Sequence, residues 1–145
     1  MDFMTAFDIG SSALTAERTR MNVISMNLAN VKTTRTTEGG PYQRKSVTLA
    51  ATPVQSPFSK AMRSALDQDL KGVRVMDIAT DKRPFKRVYE PGHPDADGEG
   101  YVSYPDINVV EEMTNMLTAM RSYEANATSI EGIKNMFNKA LELGR

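Results

Sequence analysis

Few side chains in the sequence are candidates for catalysis or ligand binding, and most lie in one short run. Asp95, Asp97 and Glu99 stand at alternate positions with Gly98 and Gly100 between and after them, which echoes the start of an EF-hand calcium loop. The rest of that loop does not follow. Its third ligand position is Glu99, its twelfth is Asp106 rather than Glu, and Pro94 and Pro105 deny it flanking helices. A calcium- or ligand-binding regulatory module using the acidic turn 95–106 is therefore the alternative reading.

Other chemistry finds fewer footholds. His93 is the only histidine and there is no cysteine, so neither a Ser-His-Asp triad nor a two-histidine or Cys-based zinc site has its parts. No Gly-x-Ser-x-Gly elbow, Gly-x-Gly-x-x-Gly run or P-loop is present, which leaves nucleotide and acyl-transfer chemistry without a cradle. The sequence is read as non-enzymatic, with no cofactor and no metal. Asn126-Ala-Thr128 forms a glycosylation sequon only formally, because it falls inside an expected helix.

Charge narrows the partners. The 18 basic and 18 acidic residues of the 145-residue chain balance, which argues against a dedicated nucleic-acid or anionic-membrane binder. Locally the balance breaks. From Lys32 to Arg63 six Lys and Arg residues face one acid, and from Pro91 to Ile107 there are four acids and no Lys or Arg. Such segments could join neighbouring copies or simply be solvated loops. No stretch approaches the roughly 18 to 20 apolar residues that span a bilayer, and Met1 to Met4 lacks the basic and apolar regions of a cleaved secretory signal.

The elements around these residues are dominated by the two ends. Alternating steps of four and three from Phe3 give Phe7, Gly10, Leu14, Glu17, Met21, Ile24, Leu28 and Val31, large and apolar at seven of nine positions. A seam of that period suits a helix lying along another helix. Gly10 and Glu17 are its weak points, although Gly10 to Ala13 is a small cluster that permits close approach of a neighbour. At the other end Asn108 is an N-cap, followed by Glu111 and Glu112 to complement the helix dipole. The same stepping then gives Val109, Met113, Met116, Met120, Tyr123, Ala127, Ile130, Lys134, Phe137 and Leu141, with Gly144 placed to end the helix. Ile133, Met136, Ala140 and Leu143 form a second seam that a partner on the first cannot cover. The end helices are thus expected to need neighbours, and their methionines to serve as adaptable packing.

Between them the chain reads as short strands and loops. Expected strands are Gln43 to Leu49, Gly72 to Ile78 and Phe85 to Tyr89, divided by Gly39-Gly40-Pro41, Pro53, Pro57, Pro84 and Pro91-Gly92. Ser56 to Leu70 reads as a loop or a short helix. The fold class is mainly α with a small β insert: terminal helices pairing as a coiled coil over 1–31 and 108–145, and a β-rich middle domain over 32–107.

Ser12 to Arg18, followed by Met21 to Val31 with Asn27-Leu-Ala-Asn30 and then Thr33, resembles the N-terminal signature of the rod and hook axial proteins of the bacterial flagellum. Arg121 to Asn126, Ile133 to Met136 and Leu141 to Gly144 resemble the matching C-terminal signature. In the middle, Gly39 to Tyr42, Gly72 to Val75, Val88 to Asp97 and Gly100 to Pro105 are similar to the short, proximal type of rod protein. Lys32 and Asp106 depart from the pattern only in linkers.

The resemblance implies a structural subunit that passes the flagellar type III export apparatus without signal cleavage and polymerises into the rod crossing the periplasm. Its partners would be its own copies, other rod subunits and the base of the rod at the membrane ring, with no nucleic acid and no direct membrane insertion. The assembly residues expected on this basis are Phe3, Phe7, Leu14, Met21, Ile24, Asn27, Leu28 and Asn30 at one end. At the other they are Met113, Met116, Met120, Tyr123, Asn126, Ile130, Ile133, Phe137 and Leu141.

Overall fold

A computed structural model describes residues 3–53 and 70–143. The expectation for Ser56 to Leu70, up to residue 69, and that for Gly144 lie outside the described residues. Two long helices frame the chain: α1 (Phe3–Ala29) and α2 (Val109–Leu143). Between them come β1 (Lys45–Pro53), β2 (Lys71–Thr80), β3 (Lys86–Tyr89) and β4 (Tyr101–Tyr104). The molecule is mainly helical with a small β insert, the class read from the sequence.

The helices begin and end where side chains supply the missing backbone partners. At the start of α2 the Asn108 Oδ1 accepts from the backbone N–H of Val110 at 3.0 Å and, more weakly, of Glu111 at 3.4 Å. At the end of α1 the Asn30 side-chain amide donates to the Met26 carbonyl at 2.9 Å, and its Oδ1 accepts from the Thr33 hydroxyl at 3.1 Å. The helix therefore stops two residues before Val31. The chain turns back through Gly39 and Gly40, whose φ values of 88° and 76° lie in the left-handed region that suits glycine. Thr36 N–H then reaches the Gly40 carbonyl at 2.8 Å, and Tyr42 N–H the Thr33 carbonyl at 3.1 Å.

The strands form two separate antiparallel pairs, β1 with β2 and β3 with β4. In the first, Lys45 faces Thr80 and Pro53 faces Lys71, with the register shifting between Thr48 and Leu49. In the second, Lys86 faces Tyr104 and Tyr89 faces Tyr101. β4 was not expected from the sequence. Two-stranded ribbons are marginal alone, and the first leans on α1, where Val73 N–H donates to the Ser12 hydroxyl at 3.1 Å.

α1 and α2 run antiparallel along one another. Phe3 stacks on Phe137 with ring centroids 4.3 Å apart, Gly10 lies against Ile130, and Asn27 meets Glu112. These pairs keep nearly constant residue-number sums, as an antiparallel pair requires. The core is thin: among the described residues the buried hydrophobic side chains are Ala16, Val23, Ile24, Val102 and Ala119.

Candidate functional site

Four segments meet at one end of the helix pair: the last turn of α1, the approach to β1, the residue after β2, and the first turn of α2. The loop after α1 delivers Tyr42, Arg44 and Lys45 to the side of Asn27. The side-chain amide of Asn27 donates to the Lys45 carbonyl at 2.8 Å and to Glu112 Oε2 at 3.1 Å. Its Oδ1 accepts from Lys45 N–H at 2.9 Å and from the Tyr42 hydroxyl at 3.0 Å. Asn27 alone therefore ties helix, strand and second helix together.

Glu112 completes the junction. It is 1% exposed, and a carboxylate that deep needs a cation and further hydrogen bonds. Arg44 supplies both, with Nε at 2.9 Å and an Nη at 2.6 Å from Glu112 Oε1. Arg44 also stands 3.9 Å from Asp81, whose backbone N–H donates to the Arg44 carbonyl at 2.8 Å. Hydrogen bonding from the Arg83 side chain, together with the nearby guanidinium charges, holds the Asp81 carboxyl below its usual range. Burial, and then the negative charge of Glu112, push the Tyr42 hydroxyl above its ordinary value. A partly open cavity of about 140 Å³ adjoins the junction, lined by residues that include Arg20, Asn27, Arg44, Glu112 and Asn115. Nothing in this set makes a nucleophile or a proton relay. Its chemistry is positional.

Away from the junction, the expected seam residues divide. On α1, Ile24 and Asn27 are buried, Phe3, Leu14, Met21, Leu28 and Asn30 are half-buried, and Phe7 is at the exposed margin. On α2, the side facing α1 follows Glu112, Met116, Ala119, Tyr123, Asn126, Ile130, Ile133 and Phe137. This differs from the sequence stepping at every second position, where the chain presents Glu112, Ala119, Asn126 and Ile133 instead of Met113, Met120, Ala127 and Lys134. A buried acid, a small residue and an amide disguise the true line.

Of the displaced residues, Met113, Met120 and Lys134 remain on the surface, while Ala127 is half-buried beside Asn126. Val110, Met113, Leu117 and Met120 are 72%, 60%, 50% and 45% exposed, respectively. Their spacing of three, four and three sets them on one stripe about a third of a turn around α2 from the α1 contact. Leu141, Met136 and Leu143 are exposed at the far end.

The acidic turn is engaged within the chain. Asp97 Oδ1 accepts from the backbone of Glu99 and Tyr101, its Oδ2 accepts from Arg87 at 2.6 Å, and Asp95 accepts from the Thr34 hydroxyl at 2.7 Å. The Tyr101 N–H first, then Arg87, hold the Asp97 carboxyl below its ordinary value. Asp95 thus meets the segment after α1 through the neutral Thr34, the cation on Asp97 comes from β3, and among the described residues no cluster of acids and histidine is arranged to hold a metal ion.

Sequence reasoning did not single out Tyr42, Arg44 or Glu112 as a unit. Arg44 and Glu112 are 68 positions apart, and no local pattern links them. No sequence signal marked the acid: Glu112 lies one residue off the seam stepping, beside Met113.

Comparison with known proteins gives concordant matches. Residues 7–35 match the family described as flagella basal body rod protein, and residues 99–143 match the flagellar basal body rod FlgEFG protein C-terminal family. The flagellar basal-body rod protein FlgC of Borreliella burgdorferi is 44% identical, over 99% of this chain and 98% of that protein. FlgC of Bacillus subtilis is 42% identical over 98% of this chain and all of its own length. FlgC of Salmonella typhimurium is 39% identical, with both chains covered in full.

Proposed function

The chain belongs to the FlgC family of flagellar basal-body rod proteins, structural rather than catalytic subunits, and on that premise we propose that it polymerises through the surfaces its terminal helices leave uncovered. The observation that carries this is the apolar stripe Val110, Met113, Leu117 and Met120, which no part of the described chain covers. A contiguous exposed apolar line on a helix is stabilised by a second helix laid along it. Methionines suit such a contact because their flexible side chains repack when copies meet at slightly different angles.

In this reading the segments 1–31 and 108–145 are the assembly helices and 32–107 is a middle domain carried beside them. The helix residues expected from the sequence then fall into two groups. Ile24, Asn27, Leu28, Met116, Tyr123, Asn126, Ile130 and Ile133 hold the helices of one copy together, and Met113, Met120, Leu141 and the exposed ends meet neighbours. The partners are further copies, other rod subunits and the base of the rod, in the part of the basal body that crosses the periplasm. Delivery runs through the flagellar export apparatus. No helix of the described residues is long and apolar enough to cross a membrane.

The test is complementation in cells lacking the endogenous gene. Met113→Asp and Met120→Asp, which alter only uncovered residues of the stripe, should each abolish rod assembly and swimming while the protein is still made. Normal swimming in both would overturn assembly through these helices.

A further inference from the structure

From the junction geometry we infer that Glu112 is a register-determining residue: it selects the one alignment of α2 along α1 in which its carboxylate meets Asn27 and Arg44. Apart from the close fit of Ile130 against Gly10, the rest of the seam discriminates poorly between alignments. On α1, Phe3, Gly10, Glu17 and Ile24 recur every seven residues, and on α2, Met116, Tyr123, Ile130 and Phe137 do the same. Sliding one helix by seven residues exchanges each seam residue for another seam residue. Such a seam permits packing in several registers.

Glu112 breaks that degeneracy because both of its partners are fixed relative to α1. Asn27 belongs to α1, and it grips both the N–H and the carbonyl of Lys45. Arg44, the preceding residue, is thereby held beside it and reaches Glu112 Oε1 at 2.6 Å. A slip of seven residues moves α2 by about 10.5 Å. The carboxylate then leaves both partners, and Arg44 and Asn27 are stripped of theirs in turn. Separating a buried ion pair disfavours the slipped state by on the order of several hundredfold. The competing explanation is that the connection through Asp106 to Asn108 limits sliding by itself.

Disulfide trapping separates the two, and the chain's lack of cysteine makes it clean. The in-register reporter is Phe3→Cys with Phe137→Cys, whose rings stack in the structure. Phe3→Cys with Ile130→Cys, and Phe7→Cys with Ala140→Cys, report slips in the two directions. Along the helix axis these lie about 10 Å out of register, beyond the ~7 Å between Cα atoms that a disulfide tolerates.

In full-length protein with Glu112 intact, only the in-register pair should close. With Glu112→Leu, the slipped pairs should rise at least tenfold, and Glu112→Gln should raise them less because the side chain still accepts hydrogen bonds. If the in-register pair closes in both variants while the slipped pairs stay at background, the connection sets the register and the inference is wrong. Loss of every cross-link in both variants would show that Glu112 holds the helices together rather than aligning them, and would also overturn it. So would failure of the in-register pair to close with Glu112 intact.

Discussion

Replacing Asn27 by aspartate changes almost nothing in shape and much in bonding. The new side chain retains acceptors for Lys45 N–H and the Tyr42 hydroxyl, but loses both donors, which now reach the Lys45 carbonyl at 2.8 Å and Glu112 Oε2 at 3.1 Å. Each buried acceptor left unmet costs about 1–3 kcal/mol, and a second carboxylate now faces Glu112, which is 1% exposed. The expected loss is on the order of 3–5 kcal/mol at pH 7, a large part of the ~5–15 kcal/mol that holds a domain. Asn27→Ala should cost less, about 2–4 kcal/mol, because water entering from the adjoining cavity can meet part of the demand. The order matters more than either value, since packing volume alone would make aspartate nearly silent and alanine the harmful change.

Urea unfolding of the purified chain, followed by far-ultraviolet circular dichroism at pH 7 and pH 5, measures both variants against the unaltered protein at each pH. The introduced carboxyl is pushed upward by burial and by Glu112, so its folded pKa exceeds its unfolded value. Its penalty is therefore absent below the unfolded pKa and grows as pH rises through the folded one. The gap between the aspartate variant and the unaltered protein should narrow at pH 5. Stability of Asn27→Asp within about 0.5 kcal/mol of the unaltered chain at pH 7 would show that the two amide donors do not hold the junction.

Leu117→Asp alters only the exposed stripe, so it should leave monomer stability within about 0.5 kcal/mol while blocking rod assembly; urea unfolding and a motility assay read the two effects, and unimpaired swimming would count against the stripe as an assembly surface. The raised pKa of Tyr42 means its contribution is present below the ordinary tyrosine value, near 10, and is lost as pH rises through the folded pKa. Tyr42→Phe should cost about 1 kcal/mol at pH 7 and flatten the alkaline decline in stability, leaving the part due to Tyr104, whose hydroxyl is raised by its hydrogen bond to Glu90; an unchanged alkaline slope would contradict this. At Gly10 an added Cβ lies 2.8 Å from Ile130 Cγ1. Gly10→Ala should be nearly neutral, with the gain of about 1 kcal/mol in helix propensity offset by movement of Ile130, whereas Gly10→Leu should lower the urea midpoint by the equivalent of about 1–3 kcal/mol.

Periodicity and capping signals made the long helices legible, and Asn108 caps α2 as its type and position suggest. The face of α2 was less legible, because period alone favours the large apolar residue at each step. Here Glu112, Ala119 and Asn126 occupy the covered line while Met113 and Met120 stay outside it. Composition marks Glu112 as an ordinary acid in a first helical turn, and only the third dimension brings Arg44 to it. Asn27 stood out through a family signature, which located an important residue without saying what it holds. β4 was hidden by its brevity, with Gly100 before it and Pro105 after it. The two ribbons likewise follow from pairings that their sequences do not state.

The junction also imposes an order in time. Asn27 bonds to a residue 18 positions later and to another 85 positions later, and Arg44 waits for one 68 positions away. A chain that emerges N-terminus first can form the turns of α1 at once, yet it cannot close the junction until residue 112 has arrived. Until then Arg44 has no buried counter-ion and α1 has no second helix to lie against. Fragments ending before α2 are consequently left with an open, unsatisfied end, so a chain terminated anywhere before residue 112 cannot complete this fold.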